Sequence, residues 1–200
     1  MRRYRAGGKP PVAAEPGPSL CRDPLESVIR RRGSARDFRL DPVPASELTA
    51  LLDLAAAPLP ADIPPLNSAC VIANALAGLE PGTYRFEAPG RWHLVRPGSL
   101  RAQAGYLCLE QALGARAAAT IFFLADLDEA LGTLGNRGYR AAQLEAGIQA
   151  GRVYLGSYAQ GLGATGLTFY DDDVTAFLAP GTRLSPMLCV AVGVDPGRPR

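Results

Sequence analysis

Tyr84-Arg85-Phe86-Glu87-Ala88-Pro89-Gly90-Arg91-Trp92-His93-Leu94 reads as two strands around a tight turn. Tyr84 and Phe86 alternate with polar neighbours, Trp92 and Leu94 repeat the pattern, and Pro89-Gly90 supplies the turn. A short hairpin of this kind means antiparallel pairing, because parallel neighbours need a long crossover. Outward from the hairpin, Cys70-Val71-Ile72 forms a preceding strand, separated from it by the turn Pro81-Gly82. Thr120-Ile121-Phe122-Phe123-Leu124 is a buried strand, and residues 187–192 form a closing one. Helices lie between the strands. Asp23-Pro24-Leu25-Glu26 has the form of a capped start, with Asp23 as cap, Pro24 in the first turn and Glu26 completing a capping box. This helix should stop near Gly33. Ser46 opens a second, with Leu48, Leu51, Leu52 and Ala55 on one face, and Ser99 caps a third through Ala102, Tyr106, Leu109 and Leu113. Such a mixed order is α+β: a central, mostly antiparallel sheet flanked by helices.

Residues 137–162 lack proline and read as one long helix. Leu144, Ile148, Leu155, Ala159 and Leu162 mark one apolar stripe; Tyr139, Ala142, Ala146 and Ala150 mark another. A helix apolar around most of its circumference is buried around most of it, and in a chain of 200 residues a partner subunit is one source of the second wall. Gly147 and Gly151, one turn apart, would let another backbone come close; each costs roughly 1 kcal/mol in helix propensity relative to Ala. Residues 171–179 form a short helix whose Asp171, Asp172 and Asp173 suit a solvated N-terminus.

The composition is that of one globular domain: 48% hydrophobic, 20% charged, net charge +2. This gives no reason to expect nucleic acid or a membrane as partner. Lys9 is the only lysine among the 21 basic residues. The basic, Pro/Gly-rich residues 1–20 read as a disordered arm or linker, 21–195 as the domain, and 196–200 as a tail. No apolar run approaches the roughly 20 residues that cross a bilayer. Cys21, Cys70, Cys108 and Cys189 show no C-x-x-C spacing, and one histidine, His93, leaves little material for a metal site or a catalytic triad. A cytoplasmic setting is expected. His93 reads as a half-exposed strand residue, and Tyr154 and Tyr158 as core or interface.

Two segments could carry chemistry. In Arg32-Gly33-Ser34-Ala35-Arg36, once the first helix ends, Arg32, Ser34 and Arg36 can point the same way. Guanidinium forks and a hydroxyl match phosphate oxygens; basic residues and a glycine also suit a plain helix C-terminus. Gly161-Leu162-Gly163-Ala164-Thr165-Gly166-Leu167-Thr168-Phe169-Tyr170-Asp171 is a helix end, a glycine-rich strand and a new helix. Backbone without side chains can approach a flat ring, or simply make a tight connection. There is no G-x-G-x-x-G after a strand to mark a Rossmann site.

Residues 28–38 with Pro42-Val43-Pro44 resemble the R-x-S-x-R-x-F … P-V signature of nitroreductase-family flavoproteins. Gly78-Leu79-Glu80-Pro81-Gly82-Thr83-Tyr84, the stretch from Arg137-Gly138-Tyr139-Arg140 to Gly147, and residues 161–172 are similar to its azoline dehydrogenase-like branch and to the C-terminal halves of tandem members. The resemblance implies a nitroreductase-like fold with the long helix at a dimer interface, made with a second copy or a second nitroreductase-like domain. It implies FMN as cofactor, with NADH or NADPH as reductant and a small-molecule or peptide substrate. Arg32, Gly33 and Ser34 would then hold the phosphate and ribityl chain, Arg36 would lie near the pyrimidine edge, and the backbone of Thr168 and Phe169 would touch the ring. Hydride transfer through flavin N5 would follow a ping-pong scheme, a fixed cation stabilising the charge that develops on the ring. No catalytic residue and no metal ligand is assigned. Thr133 and Leu134 stand where azoline dehydrogenases carry Lys-Tyr, which leaves two alternatives: a dehydrogenase making thiazoles or oxazoles with a base from elsewhere, or a non-catalytic domain of a ribosomal-peptide modification complex.

Overall fold

The computed structural model describes residues 23–197 and the backbone of Val12 and Ala13. Along the chain come β1 (Val12–Ala13), α1 (Leu25–Arg31), β2 (Val43–Pro44), α2 (Ala45–Ala56), β3 (Asn67–Ala73) and β4 (Leu76–Ala77). The hairpin β5 (Gly82–Glu87) and β6 (Arg91–Pro97) follows, then α3 (Arg101–Leu107), α4 (Ala112–Arg116), β7 (Ala119–Asp126) and α5 (Leu127–Leu134). A 3₁₀ turn leads into α6 (Gly138–Ala159), then β8 (Gly163–Leu167), α7 (Asp171–Leu178) and β9 (Leu184–Gly193). The main sheet has seven strands in the order β1-β6-β5-β3-β7-β9-β8. Every neighbouring pair in it is antiparallel; β2 and β4 form a small parallel pair beside it. The expected α+β, nitroreductase-like architecture is what the chain adopts.

Period-two alternation builds three layers. Val71, Ile121, Phe123, Val190 and Val192 face α2 and α6. Their neighbours Cys70, Ile72, Phe122, Leu124, Cys189 and Ala191 face α3 and α7. Central β7 is buried on both faces, which explains its unbroken apolar run. In the hairpin, Trp92 is fully buried, stands edge-on to Tyr84 and Phe86 at 5.7 and 5.1 Å, and donates its indole N–H to Thr49 Oγ1 at 3.0 Å. The turn holds a cis Ala88–Pro89 peptide.

Several local expectations are corrected. The Asp23 capping box does not form: Pro24 takes the cap position of α1, and the Asp23 carboxylate pairs with Arg31 instead. Neither Ser46 nor Ser99 caps; Pro44 and Leu100 stand at those positions with no side-chain bond. The third helix breaks in two, with Leu109 and Glu110 in the left-handed region at φ 54° and 59°. The break lets α4 fold back on α3 through small residues: a Cβ at Gly114 would lie 2.7 Å from the Ala104 carbonyl oxygen. The sequence reading also missed α5, whose start is capped by Asp126 accepting the Glu129 N–H at 3.1 Å.

Helix α6 is buried on one side only. Ala142, Ala146, Ala150 and Val153 are in the core, whereas Tyr139, Leu144 and Ile148 are 50%, 59% and 36% exposed. The expectation of burial around most of its circumference is not met within this chain, because no other described element covers that side. Of the expected arm, only Val12 and Ala13 lie among the described residues, and they pair with Trp92 and Arg91. Cys21 and the tail residues 198–200 lie outside the described residues. No helix among the described residues is long and apolar enough to cross a membrane.

Candidate functional site

The arginine segment is set by what its neighbours bury. Arg31 closes α1 by pairing with Asp23 and donating to the Tyr158 carbonyl at 3.1 Å. The backbone then leaves the helix extended, with Arg32 at φ −63° and ψ 145°. Ala35 is buried and its N–H donates to the Ala164 carbonyl at 2.9 Å, so the segment runs along the outer edge of β8. Phe38 is fully buried beyond it. With Ala35 facing in, its neighbours Ser34 and Arg36 face out, and Arg32 is exposed with them. Neighbouring guanidiniums are engaged: Arg30 by Glu26, Arg39 by Asp41, and Arg116 by Asp37 at 2.6 Å. The side chains of Arg32, Ser34 and Arg36 make no hydrogen bond or ion pair among the described residues.

Beside this segment lies a cavity of about 670 Å³ between α6, β8 and the Arg32 turn. Arg32 reaches one rim. Gly147, Gly151 and Tyr154 come from α6, and Gly166 and Thr168 from β8 and the residue after it; the remaining walls are mainly apolar. A Cβ added at Gly147 or Gly151 would meet nothing within 4 Å, so both are open to the space they line. Tyr154 accepts the Gly166 N–H. Thr168 Oγ1 accepts from Gln111 Nε2 at 3.2 Å.

A second cavity of about 380 Å³ follows along the same helix, lined by Tyr139, Gln143, Phe169, Asp171 and Asp172 among others. Positions 139, 143, 147, 150, 151 and 154 make one stripe at helical spacing. The Phe169 ring lies edge-on to Phe122 at 5.9 Å.

The structure therefore joins Arg32 to Thr168 in one cavity and puts Phe169 in the adjoining one. Gly33, Ser34 and Arg36 sit on the same extended segment but do not line either. Tyr158 lies in the core, and Tyr154, expected in core or interface, packs partly buried against it; what sequence reasoning missed is that Tyr154 also lines the larger cavity. The available signal was spacing, since Tyr154 falls three and seven residues after the paired helix glycines. Thr133 and Leu134 end α5 and reach neither cavity. His93 pairs with Glu87 at 3.0 Å on the hairpin. There the Arg91 guanidinium first, and His93 second, hold the Glu87 carboxyl below its ordinary range. Burial pushes the Cys70 thiol up to about 12, and burial with the Cys108 thiol 3.8 Å away raises Cys189 well above its usual value. No three His, Cys, Asp or Glu among the described residues group as metal ligands.

The model of the nitroreductase family matches residues 29–194. The chain belongs to the nitroreductase family. A candidate nitroreductase of Methanocaldococcus jannaschii is 27% identical over 184 residues, covering 84% of this chain and 90% of that protein. The crystal structure of a candidate nitroreductase from Anabaena variabilis superimposes with a TM-score of 0.78 and 28% identity; the match covers 86% of this chain and 38% of that one. An NADPH:FMN oxidoreductase from Vibrio harveyi, complexed with NAD+, shares the fold at a TM-score of 0.64 and 13% identity, over 86% of this chain and 69% of that one. Nitroreductase-family proteins are generally flavin-dependent oxidoreductases that use FMN, and they are commonly homodimers.

Proposed function

We propose that this chain is an FMN-dependent oxidoreductase and that the larger cavity holds the flavin. One observation carries the reading: Arg32, a guanidinium without a partner among the described residues, opens onto a cavity of about 670 Å³ with glycines on two of its walls. The volume lies within the range of about 300–1,000 Å³ typical of cofactor and ligand sites. Mainly apolar walls suit a fused ring, and a free guanidinium suits a phosphate. The residues present fit the group.

Arg32 would bind the phosphate, with Gly33 and Ser34 beside it. Arg36, further along the same exposed edge and outside the cavity walls, is assigned to the ring's electron-rich side by the resemblance alone. The Thr168 backbone would meet the ring face, with the Thr168 side chain held by Gln111. Phe169 would form the wall between the flavin and the smaller cavity, where the electron donor or acceptor would enter. When bound, FMN supplies two-electron chemistry that no side chain here can perform. NADH or NADPH would serve as reductant. If donor and acceptor use the same space in turn, initial-rate plots will show the parallel lines of a ping-pong scheme.

The exposed face of α6 supports a partner: a second copy, or a second nitroreductase-like domain, for which the length of the Anabaena chain leaves room. Azoline oxidation gains no support from Thr133 and Leu134. The deciding experiment is reconstitution with FMN followed by a visible spectrum. Bound flavin is expected at about one per chain, reduced by NADH or NADPH. A colourless protein after reconstitution would remove the reading and favour a non-catalytic role.

A further inference from the structure

Strand β8 is the last strand of its sheet, and its outer edge is served by side chains and by the arginine segment rather than by another strand. The Ala164 carbonyl on that edge accepts the Ala35 N–H. Gly166, two residues on, turns its backbone the same way, and its N–H is taken by the phenol oxygen of Tyr154. This bond ties the Tyr154 hydroxyl to β8 within the wall of the larger cavity, which both residues line.

A phenol that accepts one N–H still has its own proton to donate. Among the described residues nothing accepts the Tyr154 proton. In the same walls Ile29, Leu155, Leu167 and Leu188 offer no acceptor side chain, and the Thr168 hydroxyl is engaged by Gln111. The incoming N–H also polarises the hydroxyl and makes it a better donor. A donor held in place and left without an acceptor beside a ligand-sized space costs little further ordering when a ligand arrives.

We propose that Tyr154 is a positioning residue for the occupant of this cavity, donating its O–H to an oxygen of a flavin, an inference that rests on the flavin reading above. The acceptor is a phosphate, ribityl or ring-carbonyl oxygen, and these share one chemistry.

The test is titration of the purified full chain with FMN, riboflavin and lumiflavin, read by flavin fluorescence and the visible spectrum, for the wild type and Tyr154→Phe. The variant keeps the ring and returns the Gly166 N–H, on an exposed residue, to water. Loss of one hydrogen bond is expected to raise the FMN dissociation constant about fivefold. A loss shared by all three flavins, with a shifted spectrum, identifies a ring oxygen; a loss confined to FMN identifies the phosphate; a loss for FMN and riboflavin identifies the ribityl chain. Wild type and variant binding all three equally, with superimposable spectra, would overturn the Tyr154 inference and leave the flavin reading standing. A wild type that binds no flavin overturns both. Should Tyr154→Phe fail to fold, 3-fluorotyrosine at position 154 keeps the oxygen and sharpens the donor: tighter FMN binding supports the inference, and unchanged binding overturns it.

Discussion

Arg31 and Arg32 are adjacent, chemically identical and put to opposite uses. Arg31 ties Asp23 to the Tyr158 carbonyl; among the described residues the Arg32 side chain makes no hydrogen bond or ion pair. Truncation should separate them. Arg32→Ala is expected to weaken FMN binding about 10- to 100-fold, the worth of charge-assisted bonds to a phosphate, with thermal stability unchanged. Arg31→Ala should instead destabilise by about 1 kcal/mol; calorimetry with FMN titration checks both. Glu87 gives a pH prediction. Its folded pKa is depressed, so its contribution is present above the unfolded value of 4.5 and is lost as pH falls through the folded one. Glu87→Gln should lower the melting temperature slightly at pH 7, as exposed pairs contribute little, and the difference should vanish in acid. Cys70 and Cys189, buried and with raised pKa values, are expected to resist iodoacetamide at pH 8 in the native protein and to react once it is unfolded, read by mass spectrometry.

Of the four glycines of helix α6, Gly147, Gly151 and Gly156 have different neighbours. A Cβ at Gly156 would collide with Leu51 across the contact with α2, so Gly156→Ala should destabilise the chain by 1 kcal/mol or more. Gly147 and Gly151 have open space instead, and alanine at either should stabilise the flavin-free chain by up to about 1 kcal/mol, a rise of about 2–4 °C. The same substitutions narrow the cavity and should weaken FMN binding. A gain in melting temperature with unchanged flavin affinity would place the ligand elsewhere.

At the scale of the whole molecule, α6 lies against the sheet with one side and presents Leu144 and Ile148 outward. An exposed apolar strip beside the buried side of a helix is a candidate for cover by a partner. If a second copy covers it, Leu144→Asp should shift the protein toward monomer in sedimentation and release flavin, since the larger cavity opens beside the same helix. Retention of a dimer with full flavin would assign the interface to another face.

The α+β class, the hairpin, the long helix and the arginine segment were legible in the sequence, because each is written in local spacing: alternate residues for strands, three-to-four for helices, and motifs in order along the chain. The same local rules erred wherever a distant group outbid the neighbour. Asp23 looked like a cap until Arg31 claimed it, and the third helix looked continuous until Gly105 and Gly114 let it double back. Tyr154, read as core or interface, packs against the core, but only the approach of β8 brings Gly166 to its hydroxyl and puts it in a cavity wall. Periodicity fixes which face of an element is apolar, and the sequence determined that much alone. What meets that face, which of two arginines is left free, and where a cavity remains depend on contacts between residues far apart in the chain, and only the tertiary structure decides them.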